Sequence, residues 1–459
     1  MRQGEESRAL IGQVARLSWP TIVEQALQTV VQFADSAMVG RIGAQASASV
    51  GMTASVTWLV NSPLWAMGVG LMAVIARADG AGDARTVRKT GAQSVILALS
   101  MGMAIGALTL LVSPFLPGWL GAAQELRATA SAYFAIICLP MALRAMLILF
   151  GSVLRAVHDT KTPMLVNTLV NAINIALNFF LIFGTRRVSL GALTLTVPGA
   201  GMGVVGAAVA TAIAYAIGGL LMLAALLSNG KVTPRGAPLR LDREIMGRCV
   251  RVGFPVALSR VGSCLGQVVF SSQVTRLGTT ALAAHSLAIT AEQAFYIPGY
   301  GMQAAASTLC GNALGARDER RLVKTAQTTT LLCAGLMALT GGLLFLIPRQ
   351  MMALFTPDAE VIAAGVRVLR IVALTEPFYG ASIILEGVFD GMGDTRTPLL
   401  ISIATMWGVR ILFTFVCVNV FGLGLTAVWC CMVADNMARF ALLTARFVRG
   451  GWKRRVGLT

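Results

Sequence analysis

The residues best placed to do chemistry in this sequence lie on two stripes. In the stretch WPTIVEQALQTVVQFADSAMVG, residues Glu24, Gln28, Gln32 and Asp35 fall at rotations of about 0°, 40°, 80° and 20°, so a helix carries them on one face. In NTLVNAINIALNFF, residues Asn167, Asn171, Asn174 and Asn178 return to about 0°, 40°, 340° and 20°. A carboxylate among amides can bind a proton or a small hard cation, because the carboxylate changes charge while amide oxygens coordinate and amide N–H groups hold the charged form. Glu24 and Asp35 lie roughly 16 Å apart along their helix. That spacing puts Glu24 near the cytoplasmic third of a membrane-crossing helix and Asp35 towards its outer half.

The elements that must position these stripes follow from composition. The chain has 459 residues, 12% of them charged, and a mean hydropathy of +0.75, against roughly 25% charged in soluble domains. Twelve apolar runs, from 17–39 to 424–446 and including 128–153 and 361–388, are each about 20 residues or more and long enough to cross a bilayer. The fold class is therefore an all-α polytopic membrane protein. The opening MRQGEESRALIGQVAR lacks the apolar core and cleavage site of a signal peptide, so the first span is expected to stay. An ionisable group at the bilayer centre costs on the order of 3 kcal/mol. Both stripes should accordingly face each other or a hydrated cavity.

The net charge of +17 is explained by topology, not by nucleic acid. Of 37 basic residues, 25 fall on the side of the two termini and six on the other; this positive-inside bias puts both termini in the cytoplasm. Eight cysteines with no Cys-x-x-Cys, and only two histidines, His158 and His285, argue against a metal or disulfide framework. The sequence contains no phosphate-binding loop, HExxH or GxSxG, so neither ATP-driven transport within this chain nor a hydrolase is expected. Secondary transport without an organic cofactor remains. Twenty-one methionines suit a pliable apolar cavity.

The chain is also a duplication. Pro20, Arg41, Gly43, Pro63, Asp83, Arg85, Lys89 and Asp159–Pro163 recur 235 positions later as Pro255, Arg276, Gly278, Pro298, Asp318, Arg320, Lys324 and Asp394–Pro398. Two halves of six spans are parallel repeats about an axis along the membrane normal. They predict pseudo-symmetric lobes over 1–228 and 252–459, joined by the Pro-, Gly- and charge-rich linker 229–251. The repeated DTKTP and DTRTP read as a capped turn before the fifth and eleventh spans. An insertion around TRRVSLGALTLTVP breaks the register in the first half only.

The repeat supplies an internal control on the stripes. The first becomes Ser259, Ser263, Gln267 and Phe270, the second Ser402, Met406, Val409 and Phe413, so the acidic and amide site belongs to the N-terminal lobe. Asp35 is expected to titrate or bind the ion, with Asn174 and Asn178 as partners. In the C-terminal half, Asp435 and Arg439 can pair at i, i+4, Arg410 reads as a counter-ion and Glu386 as near the interface. Glu292 and Glu376, with Glu24, Gln28, Gln32 and Asn171, are candidates for the substrate cavity or for coupling.

The stretches FADSAMVGRIGAQASASV, LRAVHDTKTPMLVNTLVNAINIALNFFLIFG, AAASTLCGNALGARDERRLVKTA and FDGMGDTRTP resemble multidrug and toxic compound extrusion (MATE) transporters along essentially the whole chain. The resemblance implies twelve helices in two lobes around a central cavity, exporting amphipathic, often cationic, compounds in exchange for H⁺ or Na⁺. It also implies that Asp35 is the first-helix cation-site residue, that Asn174 and Asn178 follow the NorM-like rather than the DinF-like pattern, and that Thr211 completes the site. Ser263 and Tyr379 stand where NorM-like members carry a glutamate and an aspartate, which leaves coupling to the N-terminal lobe. The expected partners are small organic substrates and membrane lipids, for a monomer in a bacterial-type inner membrane with no metal other than Na⁺ at Asp35. The alternative is a flippase for lipid-linked saccharides, which calls for a basic cavity instead of an acidic one.

Overall fold

The computed structural model describes residues 2–190, 193–236 and 240–456. Three long helices, α1 (Arg2–Gly40), α2 (Ala44–Gly80) and α3 (Ala84–Val112), lead through the single turn α4 (Leu116–Trp119) to α5 (Gln124–Cys138), α6 (Met141–Ala156) and α7 (Lys161–Leu181). A hairpin of β1 (Gly184–Leu190) and β2 (Leu193–Ala200) follows, then α8 (Gly203–Ser228). The second half runs α9 (Arg243–Thr275), α10 (Thr279–Gly315), α11 (Glu319–Leu346), α12 (Pro348–Ala353), α13 (Ala359–Ala373) and α14 (Glu376–Met392). Next comes α15 (Arg396–Thr405), which passes through a π-helical turn, Met406–Ile411, into α16 (Leu412–Phe415) and a second π turn, Val416–Val420. The chain closes with α17 (Leu425–Val448) and the turn α18 (Lys453–Val456).

Eight of these helices are long and apolar enough to cross a membrane alone, and two bent pairs bring the number to ten. The more polar α1 and α10, of 39 and 37 residues, exceed the length needed at 1.5 Å per residue. Two spans that read as continuous in the sequence are broken: α5 meets α6 at 50°, and α13 meets α14 at 56°. The breaks are copies of one another, since Leu139–Pro140 and Leu374–Thr375 are separated by the same 235 positions. Pro140 cannot donate to the ladder, and Pro377 occupies the first turn of α14, where a missing N–H costs nothing. The insertion in the first half is the antiparallel hairpin, with Arg186 opposite Val197 and Leu190 opposite Leu193; its alternation was too short to read as strand against the flanking apolar runs.

Contacts divide the chain into two compact units. One holds the residues up to Ala26, Met72–Asp83 and Arg248 onward; the other holds Leu27–Leu71 and Ala84–Gly247. This grouping differs from a division at the linker alone, because α1 and α2 each contribute to both units. In the first unit Leu10, Val14 and Leu17 of α1 are buried in one apolar cluster with Leu309 of α10 and Phe389 of α14. There Gly80 and Gly315, symmetry copies, close the ends of α2 and α10: a Cβ on Gly80 would overlap the Asn312 carbonyl, and one on Gly315 the Arg77 carbonyl. Small residues permit this approach, as is usual between membrane helices.

In the second unit α7 and α6 pack on α8, and α3 packs on α6. The end of the linker is tied down there: Gln93 of α3 donates to the Arg240 carbonyl at 2.7 Å and accepts from the Asp242 N–H at 3.0 Å. Asp242 caps α9 by accepting from the Glu244 and Ile245 N–H groups at 3.1 and 3.2 Å and pairs with Lys89 at 3.5 Å. Those donors hold its carboxyl below the usual carboxylate range. The repeated turns are built as expected: the Thr162 hydroxyl donates to Asp159 and the Thr397 hydroxyl to Asp394, both at 2.8 Å.

Candidate functional site

Within the second unit, α1, α7 and α8 bring Asp35, Asn174, Asn178 and Thr211 together. Asn174 and Asn178, one turn apart, share the buried face of α7, so both amides point the same way. Asn178 Nδ2 donates to Asp35 Oδ1 at 2.6 Å. The Asn174 amide faces the same carboxylate. With its nitrogen toward Asp35 it donates to the two carboxylate oxygens at 3.0 and 3.3 Å, and its oxygen accepts from the Thr211 hydroxyl at 3.0 Å.

Two features give this cluster its chemistry. Asp35 has no ion-pair partner among the described residues; its neighbours are amides and a hydroxyl. Asn178 Oδ1 is buried without a hydrogen-bond partner, an oxygen lone pair left free beside a carboxylate. An all-oxygen donor set of this kind fits a hard cation such as Na⁺ as well as a proton. Tyr133 of α5, with Tyr215 and Arg144, lies within electrostatic reach, and the Arg144 guanidinium sits 4.3 Å over the Tyr215 ring. Sequence reading had not singled out these three, because their contacts join α5, α6 and α8, which no helical periodicity links.

The remaining stripe residues lie elsewhere. Gln28 and Gln32 are exposed and Asn171 is half-buried, all three outside the hydrogen-bonded cluster, while Asn167 donates back to the Pro163 carbonyl at 2.9 Å. Glu24 is buried and belongs to the other unit.

That other unit contains a second acidic group. Glu376 opens α14 at the break and is fully buried, with neither carboxylate oxygen hydrogen-bonded among the described residues. Glu292 of α10 is 5% exposed and faces it electrostatically, as does Tyr296. Tyr296 and Tyr379 meet edge-on at 5.6 Å, and Tyr379 shares a 3.2 Å hydrogen bond with Tyr300. Next to this group Asp435 is pinned by Arg410 at 2.8 Å and Arg439 at 3.7 Å. Arg439 also reaches Glu386 at 3.5 Å, so Glu386 is paired and not simply solvated as its place near the interface suggested. The π turn of Met406–Ile411 carries Arg410, whose Nη2 also donates to Asn436 at 3.2 Å. His285 accepts from Trp429 at 3.2 Å and packs against Phe270, a packing role.

Comparison with known proteins agrees with this architecture. The MatE family model matches residues 20–180 and again 255–416, two segments whose starts differ by the 235 positions of the internal repeat. A Thermotoga maritima protein described as a probable multidrug resistance protein NorM is 29% identical over 99% of this chain and 96% of its own length. The uncharacterized transporter YisQ of Bacillus subtilis is 21% identical over 96% of this chain and 93% of its own. Among solved structures, a MOP superfamily transporter from Pyrococcus furiosus superposes with a TM-score of 0.87 at 24% identity, covering 96% of both chains. A multidrug resistance MATE family transporter in an outward-facing conformation gives 0.85 at 24% identity and the same coverage. Two copies of the family segment, a multi-pass helical fold in two lobes and relatives that are transporters, not enzymes, lead to one conclusion: the chain belongs to the MatE family of multidrug and toxic compound extrusion transporters.

Proposed function

We propose that this chain is a secondary active antiporter that exports amphipathic, cationic organic compounds in exchange for H⁺ or Na⁺, by alternating access of its lobes over 1–228 and 252–459. The observation that carries the reading is Asp35, a carboxylate held only by Asn174, Asn178 and their neighbours, with no fixed counter-charge. Such a group can change its charge during a cycle without breaking an ion pair. The Asn174 and Asn178 amides hold the bare carboxylate by donating to it. The free Asn178 oxygen would add a ligand when a cation is present. Sodium, when bound, would supply the positive charge that a proton otherwise brings.

Glu292 and Glu376, beside Tyr296 and Tyr379, form an acidic and aromatic group suited to an organic cation or to a share in coupling. Gln28, Gln32 and Asn171 add polar groups along α1 and α7 in the unit that holds Asp35, and Glu24 is a further candidate in the other unit. The bias of basic residues supports an inner-membrane protein with both termini cytoplasmic, and two lobes within one chain support a functional monomer.

Efflux of a fluorescent organic cation from proteoliposomes tests this, with proton and sodium gradients imposed separately. Wild type should run on one gradient, and Asp35→Asn should lose gradient-driven efflux while remaining folded. Coupled export by Asp35→Asn at the wild-type rate would sink the site assignment. No flux of wild type under either gradient would favour the flippase, with lipid-linked saccharides tested next.

A further inference from the structure

In the first unit, α9 is tied to the residues just before and just after α15. The Thr395 hydroxyl donates to the Val252 carbonyl at 2.9 Å, and Trp407 Nε1 donates to the Gly262 carbonyl at 3.3 Å. Between the ties the helices leave a groove of about 370 Å³, floored by Pro255 and walled by Phe254, Leu258 and Leu400. The three walls are 65%, 45% and 62% exposed. One arginine from each helix, Arg251 and Arg396, stands at the groove's linker-side mouth. Both are exposed, and neither has a carboxylate, carbonyl or aromatic partner among the described residues.

We propose that this groove binds one anionic glycerophospholipid, its phosphate between Arg251 and Arg396 and one acyl chain along Phe254, Leu258 and Leu400. Two cations without counter-ions at the polar end of an apolar trough present the charge order of such a lipid. Basic pockets between membrane helices on the arginine-rich side are where anionic headgroups are held, and guanidinium groups match phosphate in a two-pronged way. A zwitterionic headgroup would bring its own cation against the arginines. The repeat sharpens the point: the copies of these residues, Arg16 with Trp19 and Lys161 with Leu165, fall in different units, so the groove as a feature of one unit belongs to the second half.

Native mass spectrometry of the purified full chain, titrated with phosphatidylglycerol or phosphatidylcholine of identical acyl chains, tests this. Wild type should retain one phosphatidylglycerol about 30-fold more tightly than phosphatidylcholine, the preference expected of two arginines near an anionic surface. Arg251→Gln with Arg396→Gln should bind both lipids alike. Arg85→Gln with Arg88→Gln, which removes the same charge elsewhere, should keep the preference. Equal retention of the two lipids by wild type, or a preference surviving in the groove variant, overturns the proposal. So does displacement of the lipid by soluble glycerol phosphate, which would make this a site for free phosphate. The comparison within wild type stands whether or not the variants fold.

Discussion

Asp35 and Asp435 are both intramembrane aspartates, and the molecule holds them in opposite ways. Asp435 is fully buried between Arg410 and Arg439, while Asp35 is half-buried among two asparagines and a threonine. An ion pair in low dielectric fixes the charge of both partners, since removing either leaves the other stranded. Amides adapt, because they offer a donor at one end and an acceptor at the other. The difference separates a carboxylate fixed by two ion pairs from one that no ion pair fixes among the described residues, which is what the proposed coupling role of Asp35 requires.

The largest effect that would test this contrast is on stability. Arg410→Leu, which leaves Asp435 only the longer 3.7 Å contact to Arg439, should cost about 3 kcal/mol, seen as a large drop in the melting temperature of the detergent-solubilised protein. Asp35→Asn should leave that temperature nearly unchanged while abolishing coupled efflux; equal destabilisation by the two variants would erase the distinction. Asn178→Ala removes one hydrogen bond to a charged group, worth about 1.5–3 kcal/mol. Coupled efflux should fall by tenfold or more, and an unchanged rate would remove Asn178 from the site.

The smallest effect concerns the backbone. His158 and Arg317 adopt φ values of +69° and +57°, and their repeat copies, Gly393 and Gly82, have +81° and +73°. Each pair keeps a left-handed turn but places glycine in only one copy. Left-handed geometry costs a side-chain-bearing residue about 1–2 kcal/mol, so Arg317→Gly should leave the protein as stable or up to about 1 kcal/mol more so once glycine's unfolded-state entropy is counted. A clear loss of melting temperature would mean that the Arg317 side chain makes a contact outweighing the strain.

Much of this was legible in the sequence because membrane physics writes large signals. Span length, the bias of basic residues and a repeat at 235 positions that is gapless through the fifth span each survive without knowledge of contacts. The asparagine pair on α7 was readable because one turn of helix sets its direction. What escaped was tertiary: Gln93 holding the linker, Arg144 over Tyr215, and Glu386 drawn to Arg439. The broken spans escaped for another reason. Hydropathy averages across Leu139–Pro140 and Leu374–Thr375, and an apolar run looks the same straight or bent.

The meeting of Gly80 with Gly315 has a mechanical consequence. Where helices interlock through side chains, separating and rejoining them requires every rotamer to find its slot again. Here α2 and α10 meet backbone to backbone at Gly80 and Gly315, with the Asn312 side chain donating to Asp79 at 3.4 Å beside them. The two helices sit as near as their backbones allow, so any side chain at position 80 or 315 would act as a wedge and force them apart.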